Sequence, residues 1–86
     1  MKTITEIQQK TIQFLQKTLI QIRPDLPENF PTEDHFKEVW GLDSLDLVEY
    51  VARIEQEYRL EIPDEDLEKL GSIDQIMEYL EKKEVI

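Results

Sequence analysis

Apolar residues recur at helical spacing in the first part of the chain and predict an amphipathic helix. Thr3 and Glu6 have the spacing of a capping box, in which each side chain accepts a hydrogen bond from the other residue's backbone N–H. Arg23 suits a helix C-terminus, and Pro24 ends the helix because proline cannot continue the hydrogen-bond ladder. The apolar stripe of this helix consists of Ile4, Ile7, Thr11, Phe14, Leu15, Thr18, Leu19 and Ile22.

A proline-rich segment follows, in which Pro24, Pro27 and Pro31 each restrict the backbone. The segment is too apolar for a free linker, so we expect it to pack against the helices. A short turn of helix is predicted over residues 32–38. The apolar residues of the segment are Leu26, Phe30, Phe36, Val39 and Trp40.

A second strong helix is predicted over Ser44–Tyr58. Asp43 is a good N-cap because its short side chain can accept a hydrogen bond from the first turn, and Asp46 adds favourable negative charge there. Residues 59–63 are predicted to form a loop.

Two shorter elements complete the pattern. Residues 64–70 suit a brief helix with Gly71 as its C-cap. Ser72 or Asp74 then caps a last helix that extends to Lys83. No segment alternates at period two, so the predicted fold is all-α: a four-helix bundle with a short third helix and a long loop after the first, forming a single domain over residues 1–86. The inward face of the last helix is Ile73, Ile76, Met77 and Leu80.

The second predicted helix is apolar on two sides. One face is an ordinary core stripe, formed by Leu47, Tyr50, Val51, Ile54 and Tyr58. The nearly opposite face carries Leu45, Val48 and Ala52. A surface helix needs only one apolar stripe, so the second is either covered by the proline-rich segment or offered to a partner.

Composition narrows the possible functions. The 86-residue chain has a formal net charge of −10 and no cysteine. Its excess of carboxylates argues against nucleic-acid binding, which depends on clustered cations. The lack of cysteine excludes a disulfide framework and a cysteine nucleophile, and it fits a reducing compartment such as the cytoplasm. No run approaches the roughly 18 apolar residues of a membrane span, so we expect no membrane insertion.

The negative charge is concentrated around the second helix. Residues 43–68 contain ten acidic and two basic residues, a net charge of −8, and the other sixty residues carry only −2. The charge therefore lies where the second apolar stripe lies, which favours docking onto a basic partner surface.

Ser44 stands at the start of this helix, directly after Asp43. A helix N-terminus offers unpaired N–H groups and the positive end of the helix dipole, which suit a phosphate. From chemistry alone, Ser44 is a cap, a phosphorylation site or an attachment point for a phosphate-linked group.

The residues around Ser44 resemble a known family. G-L-D-S-L-D-L-V-E-Y at 41–50 is similar to the attachment motif of acyl carrier proteins, in which Asp-Ser-Leu begins the second helix. The resemblance continues through E-I-P-D-E-D-L-E-K-L at 61–70 and I-D-Q-I-M-E-Y-L at 73–80. One departure is Val39-Trp40-Gly41, where the family usually has Asp-Leu-Gly.

The resemblance implies a carrier function. Ser44 would be esterified by 4′-phosphopantetheine, delivered from coenzyme A by a phosphopantetheinyl transferase, and the arm's thiol would hold acyl groups as thioesters in fatty acid or related polyketide or specialised lipid biosynthesis. The protein would act as a monomer that visits ketosynthases and other acyl-processing enzymes with basic docking patches. The alternative is a non-carrier acidic helical module that docks onto basic partner surfaces.

The resemblance also assigns site residues. The positions that match the partner-binding surface are Asp43, Leu45, Val48, Glu49, Ala52 and Glu55. The positions that match the core, and that can line an acyl cavity in the family, are Tyr50, Val51, Ile54, Tyr58 and Ile62.

Neither an enzyme nor a metal site is predicted. His35 is the only histidine, and the chain has neither the G-x-S-x-G elbow nor the strand that a serine hydrolase needs. We therefore expect His35 to be a surface or loop residue. The acidic run at 64–68 lacks the pattern of an EF-hand loop, so we expect no dedicated metal site.

Overall fold

The computed structural model describes residues 5–86, which form helices and connecting loops without a strand. Helix α1 spans Glu6–Ile22, α2 spans Ser44–Tyr58 and α3 spans Ile73–Lys82, with a 3₁₀ helix at Asp64–Lys69 between α2 and α3. The predicted all-α, four-helix fold is confirmed. In this part of the chain, no helix is both long enough and apolar enough to cross a membrane.

Helix α1 begins later than the sequence pattern predicts. Its N-cap is Thr5, whose hydroxyl accepts the Gln8 N–H at 3.1 Å, while the Gln8 side chain accepts the Thr5 N–H at 3.0 Å. The capping box predicted at Thr3 and Glu6 is therefore wrong: Glu6 is the first helical residue, and Thr3 lies outside the described residues. A capping box accepts glutamine or glutamate at its fourth position, so Thr5 with Gln8 can form one as well as Thr3 with Glu6.

The predicted α1 stripe is correct in its middle and wrong at its start. Thr11, Leu15, Thr18 and Leu19 are buried, whereas Ile7 is 62% exposed. Phe14 and Ile22 are partly buried against the core, and Ile4 lies outside the described residues. Ile22 ends the helix just before Pro24, as predicted.

The proline-rich segment packs against the bundle but contains no helix. Leu26, Phe30 and Phe36 are buried, and the ring of half-buried Trp40 meets the ring of Phe30 at 5.9 Å. Residues 32–38 contain turns and no helix. The predicted turn of helix lies later than expected, as single helical bonds from the Val39 N–H to the His35 carbonyl at 2.9 Å and from the Gly41 N–H to the Lys37 carbonyl at 3.2 Å. The Phe36 N–H donates to the Gly71 carbonyl at 2.8 Å, a contact with a distant part of the chain in place of a local helical bond.

Helix α2 has the predicted bounds and supplies the centre of the core. Asp43 caps it by accepting the Asp46 N–H at 2.8 Å. Tyr50 is completely buried, and its hydroxyl donates to the Leu15 carbonyl of α1 at 2.7 Å. Burial raises the pKa of Tyr50 well above 10, so the phenol stays protonated and keeps this donor. Val51, Ile54 and Ile62 are also buried, while Tyr58 is half-buried.

The 3₁₀ helix is held against α3 by a tyrosine. The Tyr79 hydroxyl donates to the Asp66 carboxylate at 2.7 Å. Burial and this hydrogen bond raise the pKa of Tyr79 to about 12, while the same bond and then Lys69 lower the pKa of Asp66. Ser72, not Asp74, is the N-cap of α3 and accepts the Gln75 N–H at 3.2 Å.

Gly71 has a different role from the predicted C-cap. The 3₁₀ helix ends with Leu70 as its cap, and Gly71 does not adopt a positive φ. A Cβ at Gly71 would lie 2.6 Å from His35 Nε2 and 2.7 Å from the Gln75 side-chain oxygen. Gly71 is therefore required for close packing against the His35 ring rather than for a left-handed backbone.

This close packing predicts an energetic coupling between residues 71 and 35. The His35 ring cannot shift freely, because its Nδ1 accepts the backbone N–H groups of Lys37 and Glu38 at 3.2 and 3.4 Å. Gly71→Ala is expected to lower the free energy of unfolding by about 1–3 kcal/mol, and by clearly less in a His35→Ala background. Urea unfolding of the four proteins measures this coupling.

Gly41→Ala is the matched control. Gly41 has a φ of 66°, and no atom of residues 5–86 lies within 4 Å of the added Cβ, so its cost of about 1 kcal/mol comes from backbone strain alone. That cost should be the same with and without His35. If the Gly71→Ala and His35→Ala costs simply add, the packing explanation for Gly71 is incorrect.

Candidate functional site

Ser44 lies exposed at the first position of α2. The cap of this helix is Asp43, so the interpretation of Ser44 as the N-cap is wrong. Its hydroxyl stands at the helix end where backbone N–H groups lack partners and where the helix dipole is positive. This environment suits a phosphate ester. The two roles left for Ser44, a phosphorylation site and an attachment point for a phosphate-linked group, would both place such an ester there.

A cleft of about 280 Å³ opens beside Ser44. It lies between the turn at residues 35–37, the start of α2 and the 3₁₀ helix with the residues that follow it. The lining is mostly apolar, with three ionisable side chains. Besides Ser44, the lining consists of His35, Phe36, Lys37, Leu47, Val48, Leu67, Glu68, Leu70 and Gly71.

The site has the parts that a phosphopantetheine group needs. Ser44 offers an exposed hydroxyl for the phosphate, and the adjoining apolar cleft offers room for a slender chain. Lys37 provides a positive charge in the same cleft. The residues present therefore fit the group that the resemblance implies.

The outer stripe of α2 is open to solvent. Leu45 is 78% exposed, Val48 is 56% exposed and Ala52 is exposed. The alternative in which the proline-rich segment covers this stripe is wrong, because that segment packs on the core through Phe30 and Phe36. The apolar stripe is therefore available for contact with another molecule.

The carboxylates near this stripe differ in what they already contact. Glu49 pairs with Arg53 one turn along α2 at 3.1 Å, an exposed pair that a partner can rearrange at little cost. Asp46 instead pairs with Arg23, at the end of α1, at 3.4 Å.

Glu55 has a structural contact that the sequence pattern did not indicate. Its carboxylate accepts the Ile62 N–H at 2.8 Å and so holds the loop after α2. The side chain is half-buried. No helical pattern predicts this bond, since α2 ends at Tyr58 and the six residues between Glu55 and Ile62 do not form one helix.

Lys37 and His35 also line the site. No sequence pattern pointed to Lys37, and His35 was weighed only as part of a serine hydrolase. The prediction of His35 as a surface or loop residue is confirmed, since it is half-buried in the turn at residues 35–37. They reach the cleft because Phe36 is buried and bonds to Gly71, a contact between residues far apart in the chain. Among residues 5–86, no three acidic or histidine side chains gather closely enough to hold a metal ion.

Comparison with known proteins identifies the family. Residues 15–80 match the family described as the phosphopantetheine attachment site. The acyl carrier protein of Bdellovibrio bacteriovorus is 49% identical over 57 residues, which cover 66% of this chain and 73% of that protein. The acyl carrier protein of Chlorobium phaeovibrioides is 45% identical over 51 residues, which cover 59% and 65% of the two chains.

A third relative is longer. The mitochondrial acyl carrier protein of Neurospora crassa is 46% identical over 54 residues, which cover 63% of this chain and 40% of that protein. The expectation of a carrier rather than an enzyme is confirmed by these names and by the family match. Phosphopantetheine is accordingly the cofactor, and the chain belongs to the acyl carrier protein family.

Proposed function

We propose that Ser44 carries 4′-phosphopantetheine and that the protein uses this arm to hold acyl groups between enzymes. The observation that supports this most directly is the exposed Ser44 hydroxyl at the start of α2, beside an apolar cleft and within the matched residues 15–80. When bound, the arm supplies a terminal thiol that forms thioesters, a chemistry that a chain without cysteine cannot provide itself.

The chain's own residues prepare this attachment. Asp43 is the N-cap of α2, so the Ser44 hydroxyl is not needed as the helix cap. The N-terminus of α2 favours the negative charge of a phosphate. Arg23 pairs with Asp46 and so offsets part of the negative charge in the first turn of α2.

We propose the outer face of α2 as the docking surface for partner enzymes. Its apolar part is Leu45, Val48 and Ala52, and Asp43, Glu49 and Glu55 supply carboxylates around it. The net charge of −8 over residues 43–68 steers the protein toward basic patches on a phosphopantetheinyl transferase, a ketosynthase or another acyl-processing enzyme. Because few apolar side chains are exposed, the contact is small and short-lived, as a carrier with several partners requires.

The cargo that we propose is an acyl intermediate of fatty acid or related polyketide or specialised lipid synthesis. The positions that the resemblance assigns to an acyl cavity are Tyr50, Val51, Ile54, Tyr58 and Ile62. Among them Tyr50 donates its hydroxyl to the Leu15 carbonyl, a hydrogen bond that an acyl chain displacing the Tyr50 side chain would break. The cytoplasmic location, the monomeric state and the single domain over residues 1–86 stay predictions.

Loading of the arm tests the proposed attachment. Incubation with coenzyme A and a broad-specificity phosphopantetheinyl transferase is expected to add the mass of one phosphopantetheine, and Ser44→Ala should abolish the addition. Ser72→Ala is the matched control, since Ser72 is the chain's other serine and caps α3. That variant should lose about 1 kcal/mol of stability and still accept the arm.

Intact-mass spectrometry distinguishes the two functions. An unchanged mass of the wild-type protein, or an addition that persists in Ser44→Ala, would contradict the carrier proposal. A protein that gains no mass yet binds a basic partner through α2 would support the alternative, a non-carrier interaction module.

Charge reversal on α2 tests the docking surface. Glu49→Lys is expected to slow arm transfer about 3–10-fold at low ionic strength, because it repels a basic partner. Glu78→Lys is the matched control: both glutamates are exposed and pair with a cation one turn further along, Glu49 with Arg53 and Glu78 with Lys82. Equal slowing by both variants would refute the assignment of α2 as the docking surface. Glu55→Lys is unsuitable because it also breaks the bond to Ile62.

A further inference from the structure

Among residues 5–86, Lys37 is the only lysine or arginine in the lining of the cleft beside Ser44. It lies seven residues before Ser44 in sequence, in the irregular segment that precedes α2. The same lining contains the Glu68 carboxylate and a series of apolar side chains. The cleft is thus lined by one lysine together with the serine that we propose as the attachment point.

The backbone that carries Lys37 is well anchored. The preceding residue, Phe36, is buried and donates its N–H to the Gly71 carbonyl at 2.8 Å. The Lys37 N–H itself donates to His35 Nδ1 at 3.2 Å. The His35 ring is in turn packed against Gly71, where a side chain would not fit. The Lys37 side chain therefore extends from a turn whose position relative to the cleft is determined by the core.

The Lys37 ammonium has no carboxylate partner among residues 5–86, whereas five other basic residues in that range do. Glu68 lines the same cleft, but its carboxylate does not come within 4.0 Å of the Lys37 ammonium. The paired residues are Lys10, Arg23, Arg53, Lys69 and Lys82. In a chain of net charge −10, a lysine that makes no ion pair beside Ser44 is available to an added anion.

A phosphodiester on Ser44 would add negative charge to the most acidic part of the chain. Residues 43–68 already carry a net charge of −8. Arg23 is already engaged with Asp25 and Asp46, at 2.9 and 3.4 Å. Lys37 lines the cleft beside Ser44 and is not engaged in this way, and an ammonium–phosphate hydrogen bond is stronger than a neutral one.

We infer that the Lys37 ammonium pairs with the phosphodiester on Ser44 and thereby holds the arm along the cleft beside α2. The inference rests on the proposed function, since it requires the arm to be attached at Ser44. Lys37 acts as a positioning residue that contacts the phosphate without taking part in chemistry at the distant thiol.

The test compares the apo and arm-bearing forms of four proteins: wild type, Lys37→Gln, Lys37→Arg and Lys17→Gln. Lys17 is the matched control because it is an exposed lysine on α1 that likewise makes no ion pair within residues 5–86. Each protein is loaded to completion with coenzyme A and transferase, and intact mass verifies the loading. Thermal unfolding at low salt and the phosphorus-31 resonance of the phosphodiester are then measured.

The expected result is specific to the charge at residue 37. The quantity compared is the Tm of the loaded form minus the Tm of the apo form. In Lys37→Gln this difference should be about 2–5 °C lower than in wild type. The phosphorus resonance should also shift. Lys37→Arg and Lys17→Gln should match wild type, and 1 M salt should remove the difference.

Two outcomes would overturn the inference, and they are distinguishable. Full loading with the same Tm difference and the same phosphorus resonance in Lys37→Gln and wild type would refute the pairing and leave the Ser44 assignment intact. Failure of the wild-type protein to gain mass would refute the attachment at Ser44, and the pairing with it.

Discussion

A buried hydrogen bond from the Tyr50 hydroxyl to the Leu15 carbonyl oxygen, 2.7 Å long, sets the rotation of α2 against α1. Tyr50 is completely buried, so turning it away would leave a polar group without a partner at a cost of about 1–3 kcal/mol. Each residue of a helix advances about 100°, so this one inward side chain directs Leu45 and Val48 outward. The core contact and the exposed stripe are therefore two consequences of the same constraint.

The charged side chains around the start of α2 leave the Ser44 side chain exposed. Asp43 uses one carboxylate oxygen to cap the helix and stays exposed, while Asp46 is paired with Arg23. Glu49 pairs with Arg53 in its own helix and stays exposed. Glu49 thus leaves an exposed carboxylate beside the outer stripe of α2, while Lys37 contributes a positive charge to the cleft beside Ser44.

The sequence predicted the parts of the fold that depend on neighbouring residues. The bounds of α2 follow from the Asp43 cap and from apolar spacing, both of which act within a few residues. Contacts between distant residues were not predictable in this way. Phe36 bonds to Gly71 and Glu55 holds Ile62, and neither contact follows a helical period. The turn that presents Lys37 to the cleft depends on the first of these contacts, and for this reason the sequence did not associate Lys37 with Ser44.

The central claim is that one rotation of α2 presents Ser44 and the outer stripe together to partner enzymes. Amide chemical-shift mapping of the isotope-labelled protein during titration with a phosphopantetheinyl transferase tests this most directly. The account predicts the largest changes at Ser44, Leu45, Val48 and Ala52, with small changes on the buried face and on α3. Changes concentrated on α3, or on the exposed part of α1 around Ile7, would contradict it.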